Sequence, residues 1–167
     1  MDITVDMIKE LREQTGAGIM DCRTALIGTE GNIDKALEIL KEKGLARAEK
    51  KSGRTTEQGL IECYIHTAGR IGAMIELNCE TDFVARTDEF KELAHCLAMQ
   101  VAALDPKYIV KEDIPEDSDV EPGECCLLLQ QYIKDPLKTV NDMIIETIAK
   151  LGENIKVSRF TRYELGG

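Results

Sequence analysis

The sequence contains no tryptophan, and phenylalanine and tyrosine bring the aromatic fraction to only 4% of 167 residues. This scarcity removes the side chains on which proteins usually stack single-stranded bases. Positive charge is also scarce, with 21 Lys and Arg against 31 Asp and Glu, so the net charge is −10. Because cationic side chains bind a phosphate backbone, we expect no direct binding of nucleic acid.

Long apolar runs are missing as well. No stretch reaches the roughly 18 consecutive apolar residues that a membrane-spanning helix needs. The first residues, Met-Asp-Ile-Thr-Val-Asp, lack the positive and apolar segments of a secretory signal. We therefore expect a soluble, cytoplasmic protein that does not bind a membrane.

The usual motifs of catalysis and metal binding do not occur. There is no C-x-x-C pair and no phosphate-binding G-x-x-x-x-G-K-[ST] loop. Cys63 and His66 would point to opposite faces of a strand, and His95 and Cys96 are adjacent helix positions that do not face each other. We expect no enzyme, metal site or cofactor. A thiol enzyme built on one of the six cysteines is the alternative.

Charge divides the chain into two parts. Residues 1–54 carry 10 acids and 10 bases, so the whole net charge of −10 lies in residues 55–167. This shift predicts one domain over 1–54, ending in a basic linker or helix end at 47–54, and a second over 55–167. Within the second, residues 112–124 hold seven acids and two prolines, which predicts a solvated acidic loop.

The first domain has the pattern of three short helices. Thr4 caps the first, and Thr15 with Gly16 ends it. The second lies between Gly18 and Gly28. Asn32 caps the third, and Gly44 is expected to end it in a left-handed conformation. A bundle this small has little room for a catalytic pocket, and it usually presents a helix face or loop to a partner protein.

The second domain combines strands and helices. Residues 59–66 and 70–79 predict a β-hairpin, and Thr87 begins a helix with a core stripe from Phe90 to Leu104. Residues 108–110 suggest a short strand, and residues 126–133 suggest a strand or a short helix. A capping box at 139–142 opens a last helix, and residues 154–165 form a last strand. The predicted class is α+β, with a small antiparallel sheet packed against helices.

Between the hairpin and the Thr87 helix, one loop combines an aromatic ring with an acid. A tight loop between rigid elements is a suitable place to display side chains. One interpretation is that Phe83 packs under the helix as part of the core. The other is that the ring of Phe83 and the carboxylate of Asp82 enter a pocket of a partner.

The residues of this loop carry a family resemblance. Thr81-Asp82-Phe83-Val84-Ala85-Arg86 resembles the signature of translation elongation factor Ts. The segment from Lys9 to Cys22 resembles the N-terminal signature of that family, and the segment from Leu151 to Phe160 resembles a third. The resemblance covers about residues 2–115 and 138–165.

The resemblance implies a guanine-nucleotide exchange factor that binds elongation factor Tu in its GDP-bound and nucleotide-free forms. The Thr81–Val84 loop would disturb the magnesium site of that partner, with Phe83 as a wedge, and the magnesium would belong to the partner. A ubiquitin-associated-like N-terminal module would dock on the nucleotide-binding domain, with Met20 as its main apolar contact. Its contact residues would be Leu11, Arg12, Thr15, Gly16, Gly18, Ile19, Met20, Asp21 and Cys22. A helical adaptor without exchange activity is the alternative function.

The chain departs from most members of the family in its middle part. Those members carry a longer insertion there, whereas residues 116–136 form only a short acidic connection. The resemblance further implies that short members complete the core by pairing two chains, so we expect a homodimer.

Overall fold

The computed structural model describes residues 3–166, and its class is α+β, as predicted. The chain forms two compact units. The first comprises the chain up to Arg54 together with Ile145–Asn154. The second comprises Thr55–Ile144 and the chain from Ile155 onward.

The first unit contains helices α1 (Val5–Thr15), α2 (Ile19–Gly28) and α3 (Ile33–Lys51). Local bonds set their ends. The Thr4 hydroxyl accepts from the backbone N–H of Met7 at 3.3 Å, and Asn32 caps α3 in the same way. Gly16 ends α1 with a φ of +65°, a conformation that glycine adopts without a steric penalty. The core of the bundle consists of Leu11, Cys22, Ala25, Leu26, Ala36 and Leu40.

The predicted helix end at Gly44 is wrong. Gly44 is buried within α3, which continues to Lys51, so the basic run from Arg47 is the last part of a helix. A glycine ends a helix only when it takes the left-handed conformation. Gly44 instead lies against Ile145, whose Cγ2 is 3.7 Å from where a Cβ on Gly44 would stand. That contact is distant in sequence, so no local pattern reveals it.

The second unit is built on a three-stranded antiparallel sheet. Its strands are β1 (Gln58–Ile65), β2 (Ile71–Cys79) and β5 (Ile155–Glu164), in the order β1-β2-β5. The short helix α4 (Asp82–Ala85) and the long helix α5 (Asp88–Leu104) follow β2. Then come α6 (Pro122–Cys125), β3 (Gln131–Tyr132), β4 (Asp135–Thr139) and α7 (Val140–Leu151), whose residues from Ile145 onward belong to the first unit. The capping box predicted for α7 is present, because Asp142 and Thr139 bond each other's backbone N–H at 2.8 and 3.1 Å.

Helix α5 packs on one face of this sheet. Its buried stripe includes Phe90, Leu93, Ala94, Leu97 and Val101, as predicted. On β2 the alternate residues Ala73, Ile75, Leu77 and Cys79 are buried. Leu104 was predicted to extend the stripe, but it is exposed because α5 ends at this residue.

The segment between α5 and α7 differs most from its prediction. The strand predicted at 108–110 is only one bridge, between Tyr108 and Cys126, and residues 127–129 form a helical turn. Strand β3 lies within the strand or helix predicted at 126–133, whereas β4 and its pairing with β3 were not predicted. Part of the expected acidic loop is helical, in a turn at Lys111–Asp113 and in α6. The buried amide of Gln100 organises β3, since it donates to Gln131 O and accepts from Ile133 N, both at 3.0 Å.

Candidate functional site

The loop after β2 is built around the four-residue helix α4. Thr81 precedes it in an extended conformation, and its hydroxyl accepts from the backbone N–H of Val84 at 3.4 Å. Thr87, the N-cap of α5, donates its hydroxyl to Val84 O at 2.8 Å. Both ends of α4 are therefore tied to fixed backbone, which orients its side chains.

Phe83 projects from α4 into solvent. Its side chain is 79% exposed, whereas Val84 and Ala85, the next two residues, are buried. The interpretation of Phe83 as a core residue is therefore wrong. A large aromatic ring exposed on a helix that is anchored by its neighbours is a typical arrangement for contact with another molecule.

Asp82 stands beside this ring and forms an ion pair. Its Oδ2 lies 2.7 Å from Arg86 Nη2, one helical turn away, and the side chains of Arg86 and Asp82 are 75% and 46% exposed. An exposed ion pair of this kind contributes little to stability. The Asp82 carboxylate can therefore exchange Arg86 for a donor or cation of a partner at small cost.

The second predicted surface lies at the start of α2 in the first unit. Ile19 and Met20 are exposed there, and Met20 reaches 66%. Gly18 precedes the helix as its N-cap. Asp21 is held by Arg47 of α3 through contacts of 3.1 to 3.3 Å. The first turn of α2 thus exposes the apolar side chains of Ile19 and Met20 beside the Asp21 carboxylate, which is paired with Arg47.

Not all residues named for this surface can touch a partner. Leu11 and Cys22 are fully buried in the bundle core, so their role there is to support the surface. The Thr15 hydroxyl donates to Leu11 O at 2.7 Å and accepts from Ala17 N at 3.2 Å, which shapes the turn around Gly16. Arg12, one turn earlier on α1, is exposed.

Two of the buried thiols are not activated in the way that a thiol enzyme requires. Burial raises the pKa of Cys22, and it raises the pKa of Cys126 to about 11, whereas the attacking cysteine of a thiol enzyme has a lowered value. His95 Nδ1 lies 3.1 Å from Glu62, and His66 Nδ1 lies 3.1 Å from the Tyr64 hydroxyl. Within residues 3–166, no three His, Cys, Asp or Glu side chains are placed to hold a metal ion. The described helices include none with the length and apolarity to span a bilayer.

One exposed surface was not found from the sequence. The face of the sheet opposite α5 carries Ile61, Ile65, Met74 and Tyr163 together with an ion pair between Glu76 and Arg159, and we call it the open sheet face. Period-two alternation did separate Ile61, Cys63 and Ile65 from their neighbours. Alternation alone does not show which face of a sheet is covered.

Comparison with known proteins adds to this description. A family model described as Elongation factor TS matches residues 29–121, which include the Phe83 loop. The chain is 51% identical to Elongation factor Ts of Thermotoga neapolitana and of Thermotoga maritima, in alignments covering 99% of the chain and 98% of each relative. It is 49% identical to Elongation factor Ts of Caldanaerobacter subterraneus, over 98% of the chain and 97% of the relative. The first alignment spans 194 positions against 167 residues, so at least 27 positions of that relative have no counterpart here.

Proposed function

Because the chain belongs to the elongation factor Ts family and is a translation elongation factor, we propose that it is a guanine-nucleotide exchange factor for elongation factor Tu. It binds the partner in its GDP-bound form, promotes the release of GDP and is expelled when GTP binds. The protein acts in the cytoplasm, without catalytic groups, metal or cofactor of its own. The exposed ring of Phe83 on an anchored helix is the observation that carries this proposal.

The physical basis of exchange is linkage between two ligands of one protein. If the factor binds the nucleotide-free partner more tightly than the GDP form, then GDP binds the complex more weakly by the same factor. The ring of Phe83 supplies apolar contact area that enters the partner and displaces its local structure. Asp82 brings a carboxylate to the magnesium site of the partner, where the ion is the largest local charge.

The first unit supplies a second contact in this proposal. Ile19 and Met20 form its exposed apolar surface, and the Asp21–Arg47 ion pair beside them links α2 to α3. A helical adaptor without exchange activity would use this surface alone. It would bind the partner without altering GDP release, and it would be indifferent to Phe83.

The decisive experiment measures GDP release from elongation factor Tu. The partner is loaded with fluorescent GDP, and dissociation is followed after addition of excess unlabelled GDP, with and without the full chain. We expect the chain to accelerate dissociation, and excess free magnesium to oppose the acceleration. An unchanged rate, measured with demonstrable binding, would favour the adaptor and refute the exchange function.

We also propose that a second copy of the chain covers the open sheet face. The chain has a net charge of −10, so two copies repel each other over most of their surface. The open sheet face is different, because Glu76 and Arg159 pair at 2.6 Å and the exposed side chains of Ile61, Ile65 and Met74 beside them are apolar. A two-fold axis brings the same patch of both copies together, and a neutral apolar patch suits such pairing.

Sedimentation or light scattering tests this assembly. We expect the molar mass of wild type to be twice the 18.6 kDa of one chain, and that of Ile65→Lys to equal the mass of one chain. Leu137→Lys is the matched control, because Leu137 is 93% exposed on β4 and lies outside the open sheet face. Wild type at the single-chain mass, or equal effects of both variants, would contradict the proposal.

A further inference from the structure

Cys125 and Cys126 are consecutive residues at the end of α6, and none of the three proposed binding surfaces uses them. Their sulfur atoms lie 3.9 Å apart. A separation this short means that the two thiols are already in contact. The other cysteines of the second unit lie elsewhere in the fold, with Cys63 on β1, Cys79 on β2 and Cys96 on α5.

The two thiols differ in accessibility. Cys126 is fully buried, and burial, followed by its contact with Cys125, raises the pKa of its thiol to about 11. It therefore stays protonated at neutral pH and is shielded from small oxidants. Cys125 is half-buried and can be reached from solvent. An accessible thiol beside a shielded one is the arrangement of a cysteine that is oxidised first and a second that resolves it.

The backbone around the pair is held on both sides. Cys125 O accepts from the N–H groups of Lys107 and Tyr108 at 2.8 and 3.0 Å. Cys126 N donates to Pro122 O at 3.0 Å, and Leu127 N donates to Tyr108 O at 2.9 Å. These bonds keep the two side chains next to each other in the folded protein.

We propose that Cys125 and Cys126 form an oxidation site that closes to a disulfide between adjacent residues when the protein meets a hydroperoxide. The sulfur of Cys125 attacks the peroxide, the O–O bond breaks, and Cys125 becomes a sulfenic acid while the peroxide is reduced to water or an alcohol. The sulfur of Cys126 then attacks the sulfenic sulfur, the S–S bond forms, and the hydroxyl leaves as water with the proton of the Cys126 thiol. Two thiols are oxidised by two electrons, and one peroxide is reduced.

The geometry of adjacent residues makes this product reversible. Neighbouring α-carbons are about 3.8 Å apart across a trans peptide, which is shorter than the roughly 4.4 to 6.8 Å that most disulfides span. The ring that a disulfide between adjacent residues closes is therefore strained, and strained disulfides are more easily reduced than relaxed ones. Closure also displaces the Cys125 carbonyl, which weakens its hydrogen bonds to Lys107 and Tyr108.

Mass spectrometry of the full-length protein tests the site. Trypsin cleaves after Lys111 and Lys134, which isolates both cysteines in a peptide without any other. After treatment with hydrogen peroxide, we expect this peptide to lose about 2 Da, to resist alkylation and to regain both thiols with dithiothreitol. Cys63 is the internal control in the Ile65→Lys variant, where no second copy should cover it, because it is exposed on β1 opposite Met74 and is the one cysteine of its tryptic peptide.

Two variants separate the steps. Cys126→Ala keeps an apolar side chain in the buried position, and we expect Cys125 to be trapped as a dimedone adduct that wild type does not give. Cys125→Ser changes the accessible position, and it should give neither the mass loss nor the adduct. Retention of both thiols of the pair in the Ile65→Lys variant while its Cys63 oxidises would overturn the proposal. So would oxidation of Cys125 to a sulfinic acid with a gain of about 32 Da, or equal dimedone labelling of wild type and Cys126→Ala.

Discussion

Replacing Phe83 by alanine separates the proposed function of the ring from its contribution to folding. The side chain is 79% exposed, so of the roughly 200 Å² that a phenylalanine can bury, about 160 Å² remains available to a partner. At about 25 cal/mol per Å² this area corresponds to an upper limit of roughly 4 kcal/mol. The cost of ordering groups at an interface reduces such values, and we expect a loss of about 2 kcal/mol, or roughly thirtyfold in exchange efficiency.

Folding should change much less. The buried fifth of the ring corresponds to roughly 40 Å², which limits the loss of unfolding free energy to about 1 kcal/mol. Phe90→Ala is the matched contrast, because Phe90 is fully buried under the sheet and its removal should cost about 3 to 5 kcal/mol of stability. Phe83→Ala should therefore be the more stable of the two variants, whereas Phe90→Ala should have the higher exchange rate per folded molecule.

The assay compares GDP release from elongation factor Tu at several concentrations of wild type and Phe83→Ala, with urea unfolding of both. Equal exchange rates with intact folding would refute the role of the ring as a wedge. A large loss of stability would instead show that Phe83 is a structural residue in solution. Leu137→Ala, at an exposed apolar position outside the loop, should leave exchange unchanged.

Three further predictions concern other residues of the fold. Gly44→Ala should raise the unfolding free energy by about 0.5 to 1 kcal/mol in urea titrations. Gly44 is helical, and a Cβ at this position would meet Ile145 at an ordinary contact distance of 3.7 Å. A loss of stability would contradict this prediction. Thr81→Ala should weaken exchange by about 1 kcal/mol, roughly fivefold, through loss of the α4 cap, and Thr81→Ser should restore it. The Arg159 guanidinium lowers the pKa of Glu76 below 4.5, so the pair stabilises the fold above that pH, and the benefit is lost as the pH falls through the lowered pKa. The difference in thermal stability between wild type and Arg159→Gln should therefore close on acidification, and a difference independent of pH would count against the ion pair.

The local architecture was largely predictable because its determinants are local. The predicted N-caps are confirmed in four helices. They are Thr4 for α1, Asn32 for α3, Thr87 for α5 and the box at Thr139 for α7. The hairpin follows period-two alternation between turn residues, and β5 lies within the strand predicted at 154–165. Each of these signals involves residues within one or two turns of each other, so no knowledge of the rest of the fold is needed.

The regions that were predicted wrongly depend on distant residues. Helix α3 passes through Gly44 beside Ile145, and β3 is organised by the amide of Gln100, some 31 positions earlier in the chain. A glycine or a short apolar run is compatible with several conformations, and such contacts select one of them. Tyr108 likewise forms a bridge to Cys126 only because the fold brings the two segments together.

The sequence by itself determined the class of the protein, the N-caps of four helices, its charge distribution and the motif around Phe83. Only the tertiary structure decided which apolar residues remain exposed. Phe83 could equally have been a core residue, and either face of the hairpin could have been the covered one. Periodicity divides an element into faces, but the burial of a face depends on what packs against it, and that depends on the whole chain.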